Sequence, residues 1–151
     1  MNMLDQIAPG LSEQLRLLSS EQWRRIVVKV CGTISQSIAN LEPVMQVSLE
    51  TAVEKNTLSS DQIARLRDYA ENADKRYFTL QEEGVEQAVW RVWFAKARLA
   101  TALADAFSDE KWETVADAVY ELCFVNEDKA KVIILIESSI QSMLSNSTRQ
   151  P

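Results

Sequence analysis

The chain has 151 residues, 46% of them apolar, with only three Gly and three Pro and a net charge of −6. That length is ordinary for one domain and buries enough surface to fold without disulfide or metal staples, while the scarcity of Gly and Pro argues against a turn-rich β architecture. The acidic balance argues against a nucleic-acid partner, whose phosphates call for a basic face, and the complete absence of histidine removes the commonest general base and metal ligand.

Hydrophobic periodicity predicts an all-α fold: one domain over residues 1–151, a bundle of six to seven helices around a central apolar helix. A turn near Leu4 to Ile7 and the Pro9-Gly10 break precede a short helix at Ser12–Leu18. Ser19-Ser20-Glu21-Gln22 has the form of a capping box, and the three- and four-residue recurrence of Trp23, Ile26, Val27, Val30, Ile34, Ile38 and Leu41 gives the next helix its core face. Pro43 opens another helix at its first turn and Asn56-Thr57 ends it. Ser59-Ser60-Asp61-Gln62 is a second capping box, which launches a helix carrying Ile63, Leu66, Ala70, Ala73, Tyr77 and Leu80 on one seam. After Gly84, Val85–Phe107 is the most apolar stretch; its alanine run allows neighbours to approach closely, so it is expected to be central and most buried. Ser108 is expected to cap the following helix, which turns Trp112, Val115, Ala116, Val119, Leu122 and Cys123 inward, and Asn126 the last one. Residues 145–151 read as a frayed tail.

Without histidine, neither a Ser-His-Asp nor a Cys-His arrangement can be built, and a Glu-x-x-His di-iron bundle is excluded too. Three glycines do not make a phosphate loop. The expectation is a non-enzymatic protein with no cofactor and no metal. Cys31 and Cys123 lie in apolar stretches and are expected as buried, reduced thiols. The amino terminus lacks a basic segment followed by an apolar core, and no stretch approaches a membrane span, so the expected location is the cytoplasm, with no membrane partner.

Two polar features stand out. Gln87, Arg91, Arg98, Thr101 and Asp105 share one side of the central helix. They form either a semi-buried structural stripe with local i,i+4 contacts or a docking site for an acidic group. A remoter alternative is a small all-α enzyme that binds an anionic substrate through Arg91 and Arg98, as all-helical chorismate mutases bind theirs. The second feature is charge asymmetry. Residues 1–100 hold 12 Lys/Arg and 13 Asp/Glu, whereas 101–151 hold 4 and 9; between Asp105 and Asp128, eight acids meet only Lys111. Glu113, Asp117 and Glu121 recur every four residues along one helix face, with Asp109 and Glu110 in its first turn. Such a row is either solubilising surface or a docking face for a basic partner. In the second case the contact residues are Asp109, Glu110, Trp112, Glu113, Asp117, Tyr120, Glu121 and Asp128, with Trp112 and Tyr120 as aromatic anchors.

The segment Phe94-Ala95-Lys96-Ala97-Arg98-Leu99-Ala100, continuing through Ala102-Leu103 to Ala118-Val119-Tyr120-Glu121, resembles small acidic helical immunity proteins of bacterial contact-dependent inhibition and polymorphic toxin systems. The resemblance spans only 94–121, and its motifs are mostly structural. It implies a protein that binds one cognate toxin, often a nuclease with a basic cleft, and neutralises it by covering its active or substrate-binding surface. The alternative is a non-enzymatic helical adaptor or secretion chaperone.

Overall fold

The computed structural model describes residues 3–125 and 128–149. Among these there are eight helices and no strand: α1 (Met3–Ile7), α2 (Pro9–Arg16), α3 (Ser20–Ser35), α4 (Pro43–Lys55), α5 (Ser60–Glu82), α6 (Gln87–Ser108), α7 (Trp112–Cys123) and α8 (Lys129–Arg149). The eighth is α1: the turn expected at Leu4 to Ile7 completes a short helix, which Ala8 separates from α2, with Pro9 in the first turn of the latter.

Both capping boxes form. Ser19 Oγ accepts from the Gln22 amide at 3.2 Å while Gln22 Oε1 accepts from the Ser19 amide at 2.9 Å. Ser59 and Gln62 repeat the exchange at 3.1 and 3.0 Å. Each box satisfies two amide donors that a helix start leaves open. Pro43 occupies the first turn of α4, and Asn56, in the left-handed region at φ 50°, closes that helix. Gly84, at φ 74°, makes the turn between α5 and α6, where a Cβ would be strained.

Several boundaries differ from expectation. α3 stops at Ser35; Ile38 and Leu41 reach the core from the following turn, where Asn40 has φ 58°. α6 begins at Gln87 rather than Val85. Ser108 ends α6, its hydroxyl bonded to the Asp105 carbonyl, and does not cap α7. Instead Asp109 accepts from the Lys111 amide at 2.9 Å and from the Thr114 hydroxyl at 3.1 Å, a side-chain turn that precedes α7. The cap expected at Asn126 lies outside the described residues; Asp128 accepts from the Ala130 amide at 3.1 Å. Residues 145–149, expected to fray, continue α8; 150 and 151 lie outside the described residues.

α6 is central, packing against α5, α7 and α3, while α8 packs on α3, α7 and α2. Leu99, Leu103, Leu122, Ile136, Ile140, Ile26 and Leu66 are sealed in the core, and Cys31 and Cys123 are buried free thiols. Burial of α6 is uneven. Its buried residues run from Ala95 to Phe107, and no residue from Asp74 to Phe94 is buried. The outer parts of α5 and α6 therefore form a two-helix arm. Tyr77 holds it together from within, with its ring 5.3 Å from Trp90 and 5.2 Å from Phe94.

Candidate interaction surface

α7 turns Val115, Ala116, Ala118, Val119, Leu122 and Cys123 inward. The four-residue recurrence of Glu113, Asp117 and Glu121 then places these acids on the other side. Glu113 and Asp117 are exposed, whereas Glu121 is half-buried at the seam with α6. There the stripe from the central helix meets it. Arg98 sends Nη1 to Glu121 at 3.3 Å and Nη2 to both oxygens of Asp74 on α5 at 2.7 Å. Two turns along α6, Asp105 accepts from Arg67 of α5 at 3.0 Å. Arg67 and Asp74 are seven residues apart, as are Arg98 and Asp105, so two antiparallel helices bring both pairs into register.

Three carboxylates (Asp74, Asp105 and Glu121) thus share two guanidiniums, with the charge of Asp117 acting on two of them. Burial pushes the Asp105 carboxyl above the usual carboxylate range; Arg67 opposes this, and the charges of Asp117 and Asp109 add to it. Burial likewise raises Glu121, against Arg98 and with help from Asp105, Asp74 and Asp117. In both, burial outweighs the neighbouring arginine, and the surrounding carboxylates add to it. By contrast, the Lys111 amide and the Thr114 hydroxyl hold exposed Asp109 below that range.

The remaining expected contact residues divide. Glu110 lies 3.7 Å from Arg24. Trp112 does not share the acidic face: it is half-buried, with its ring 5.5 Å from Trp23 and under the Arg16 guanidinium at 5.1 Å. Its apolar bulk wins over its position in the helix's first turn, and it packs toward α2 and α3. Tyr120 is half-buried, its ring 4.8 Å from that of Phe124 and tilted against it. Asp128 caps α8. Arg91 and Arg98 both stand over the Phe94 ring, at 5.8 Å and 5.2 Å, and the charge of Arg98 is already offset by two carboxylates. Thr101 bonds back to the Ala97 carbonyl rather than to Asp105.

Two partners escaped the sequence reading. Arg67 and Asp74 complete the network, and only their matching seven-residue spacing signals it. The other omission is a polar cluster around Lys96, which is 3% exposed within the apolar run of α6. Its Nζ donates to Glu42 Oε1 at 2.7 Å and to the Asn40 carbonyl at 3.3 Å, and lies 4.3 Å from the Trp93 ring centroid. Tyr69 donates its hydroxyl to the second oxygen of Glu42. This cluster ties the turn before α4 to α5 and α6.

Among the described residues, no helix is long and apolar enough to cross a membrane. Among the same residues, no group of three or more His, Cys, Asp and Glu is placed to hold a metal ion. Compared with known proteins, the chain matches no protein-family model, no curated protein and no solved structure.

Proposed function

We propose that this is a binding protein whose acidic α5–α6–α7 face receives Lys or Arg side chains of a basic partner, and that it acts in the cytoplasm as an immunity protein neutralising a nuclease-type toxin. The observation that carries the proposal is the acidic row itself: exposed Glu113 and Asp117 run beside half-buried Asp105 and Glu121, which among the described residues meet only Arg67 and Arg98. Like-charge crowding in a half-buried site is unfavourable in the free protein, and a cation from a partner relieves it. Perturbed carboxylates of this kind concentrate at functional sites. Exposed Asp117 and Glu113 extend the same face into solvent, where they steer a basic surface toward it. The likeness of residues 94–121 to immunity proteins supplies the biological role.

The test uses the product of the reading frame adjacent to this gene. Binding and inhibition are measured with the intact chain and with a Glu113→Lys/Asp117→Lys variant. Glu121 is left in place because a lysine there would face Arg98 and disturb the fold. Tight binding with loss of toxin activity, weakened by the variant and by salt, supports the proposal. Binding without inhibition makes the protein an adaptor or secretion chaperone. Unchanged affinity of the variant leaves the acids as solubilising surface.

A further inference from the structure

A second surface lies between α3 and α4. On α3, Arg25, Val28, Lys29 and Gly32 fall on one side at three- and four-residue steps; on α4, Ala52, Val53 and Asn56 face them across a groove of about 400 Å³. Val28 and Ala52 are buried and form its floor, while Val53 is 67% exposed on its wall. None of the residues lining this groove is acidic, although the chain carries a net charge of −6. Arg25 is paired with Glu21 at 2.9 Å, but both side chains are more than half exposed, and an exposed i,i+4 pair yields readily to a better partner.

Gly32 is the informative residue. It sits inside α3, where glycine is destabilising relative to alanine. Its φ is not in the left-handed region, and a Cβ built on it would meet nothing within 4 Å. Neither backbone conformation nor internal packing therefore calls for glycine. What its missing side chain provides is closer access to the α3 backbone from the groove. At one end of the groove, the buried Oδ1 of Asn56 finds no hydrogen-bond partner among the described residues.

We infer that this groove docks an acidic amphipathic helix of a partner protein. A small or apolar ridge of that helix crosses Gly32 and Val53, and carboxylates one turn apart face Arg25 and Lys29. Charge complementarity selects the occupant: a basic helix would meet two cations, and a purely apolar one would leave them desolvated. The inference is independent of the reading of the acidic face. The two surfaces differ in charge and share no residue.

The probe is a synthetic helical peptide with an Ala/Leu ridge and glutamates at i,i+4, titrated into isotopically labelled full-length protein and followed by amide NMR. A matched peptide carrying lysines at those positions is the control. The expected result is saturable binding of the glutamate peptide, with shifts centred on α3 and α4. Arg25→Glu/Lys29→Glu and Gly32→Leu should each weaken it by about tenfold or more. Gly32→Ala should raise the melting temperature by about 2–4 °C and still weaken the peptide, which separates folding from binding. Equal binding of the lysine peptide, shifts confined to other helices, or no saturation would overturn the inference. So would concentration-dependent self-association abolished by the same variants, which would make a second copy the occupant.

Discussion

Lys96 and Glu42 lie 2.7 Å apart, but they are unequally enclosed: the lysine side chain is 4% exposed and the glutamate 32%. The two ends of the pair are therefore not equivalent in what their removal leaves behind. Glu42→Ala strands a buried ammonium, with only the Asn40 carbonyl and the Trp93 ring to hold it, and should cost about 3–5 kcal/mol. Lys96→Met leaves a carboxylate that water and the Tyr69 hydroxyl still reach, and should cost about 1–2 kcal/mol. Urea unfolding of both variants and of the double variant gives the coupling. Equal costs would mean that the pair behaves as an exposed one.

Stability should pass through a maximum on the acid side of neutrality. Asp105 and Glu121 are raised in the folded state, so the folded protein binds more protons than the unfolded one between the unfolded and folded values. Stability therefore rises as pH falls through that window toward the ordinary carboxylate range of about 4. Glu42 behaves oppositely. Burial pushes it up, but the bonds from Lys96, Tyr69 and its own backbone outweigh this and hold it low, and Asp109 is also held low. Their contribution is present above the unfolded value and is lost as pH falls through their lowered values. Urea midpoints measured at about pH 7, 5 and 3 should rise and then fall; a monotonic decline from neutrality would count against the crowded carboxylates.

On the proposed function, the same carboxylates should make partner binding proton-linked. A partner's cation lowers the values of Asp105 and Glu121, so binding releases any protons they carry, and affinity should weaken as pH falls through their raised values. Calorimetry in buffers of different ionisation enthalpy should detect proton release at mildly acidic pH. Proton uptake would place the cation elsewhere.

Leu99→Asp should prevent folding. Leu99 is 0% exposed in the middle of α6, and an unpaired carboxylate there costs several kcal/mol against a total of roughly 5–15. A cooperative thermal transition for this variant, followed by circular dichroism, would show that α6 is not the centre of the core.

The thiols should be silent in the native protein. Burial pushes Cys31 up to about 12 and Cys123 up to about 11, the latter slightly offset by Lys129. Little thiolate exists at neutral pH, and a polar maleimide should label either residue only at the rate of local opening. Burst labelling on mixing would contradict this.

The capping boxes, the proline start of α4, its end at Asn56 and the inward face of α7 were all legible from residue types alone, because each is a local device with its own chemistry. The exposed outer third of α6 was not. Val89 and Val92 lie in the stretch expected to be most buried, yet they are 45% and 39% exposed, because apolar composition does not tell which neighbours reach that far. Lys96 hid for the converse reason: a lone lysine in an apolar run looks like a surface interruption until Glu42 and Asn40 arrive from a distant turn. The acidic row was visible, but its division between exposed Asp117 and half-buried Glu121 depends on Arg98 meeting α5.

The α5–α6 arm should give the molecule two tiers of cooperativity. Beyond Ala73 on α5 and before Ala95 on α6 no buried residue ties the arm to the bundle, and its nine terminal α5 residues, 74–82, extend about 13 Å. Such a segment should open before the rest of the chain unfolds. Its amides should exchange with deuterium well before those of Leu99 or Leu122, and a protease should nick first near Gly84 while the remaining helices stay intact.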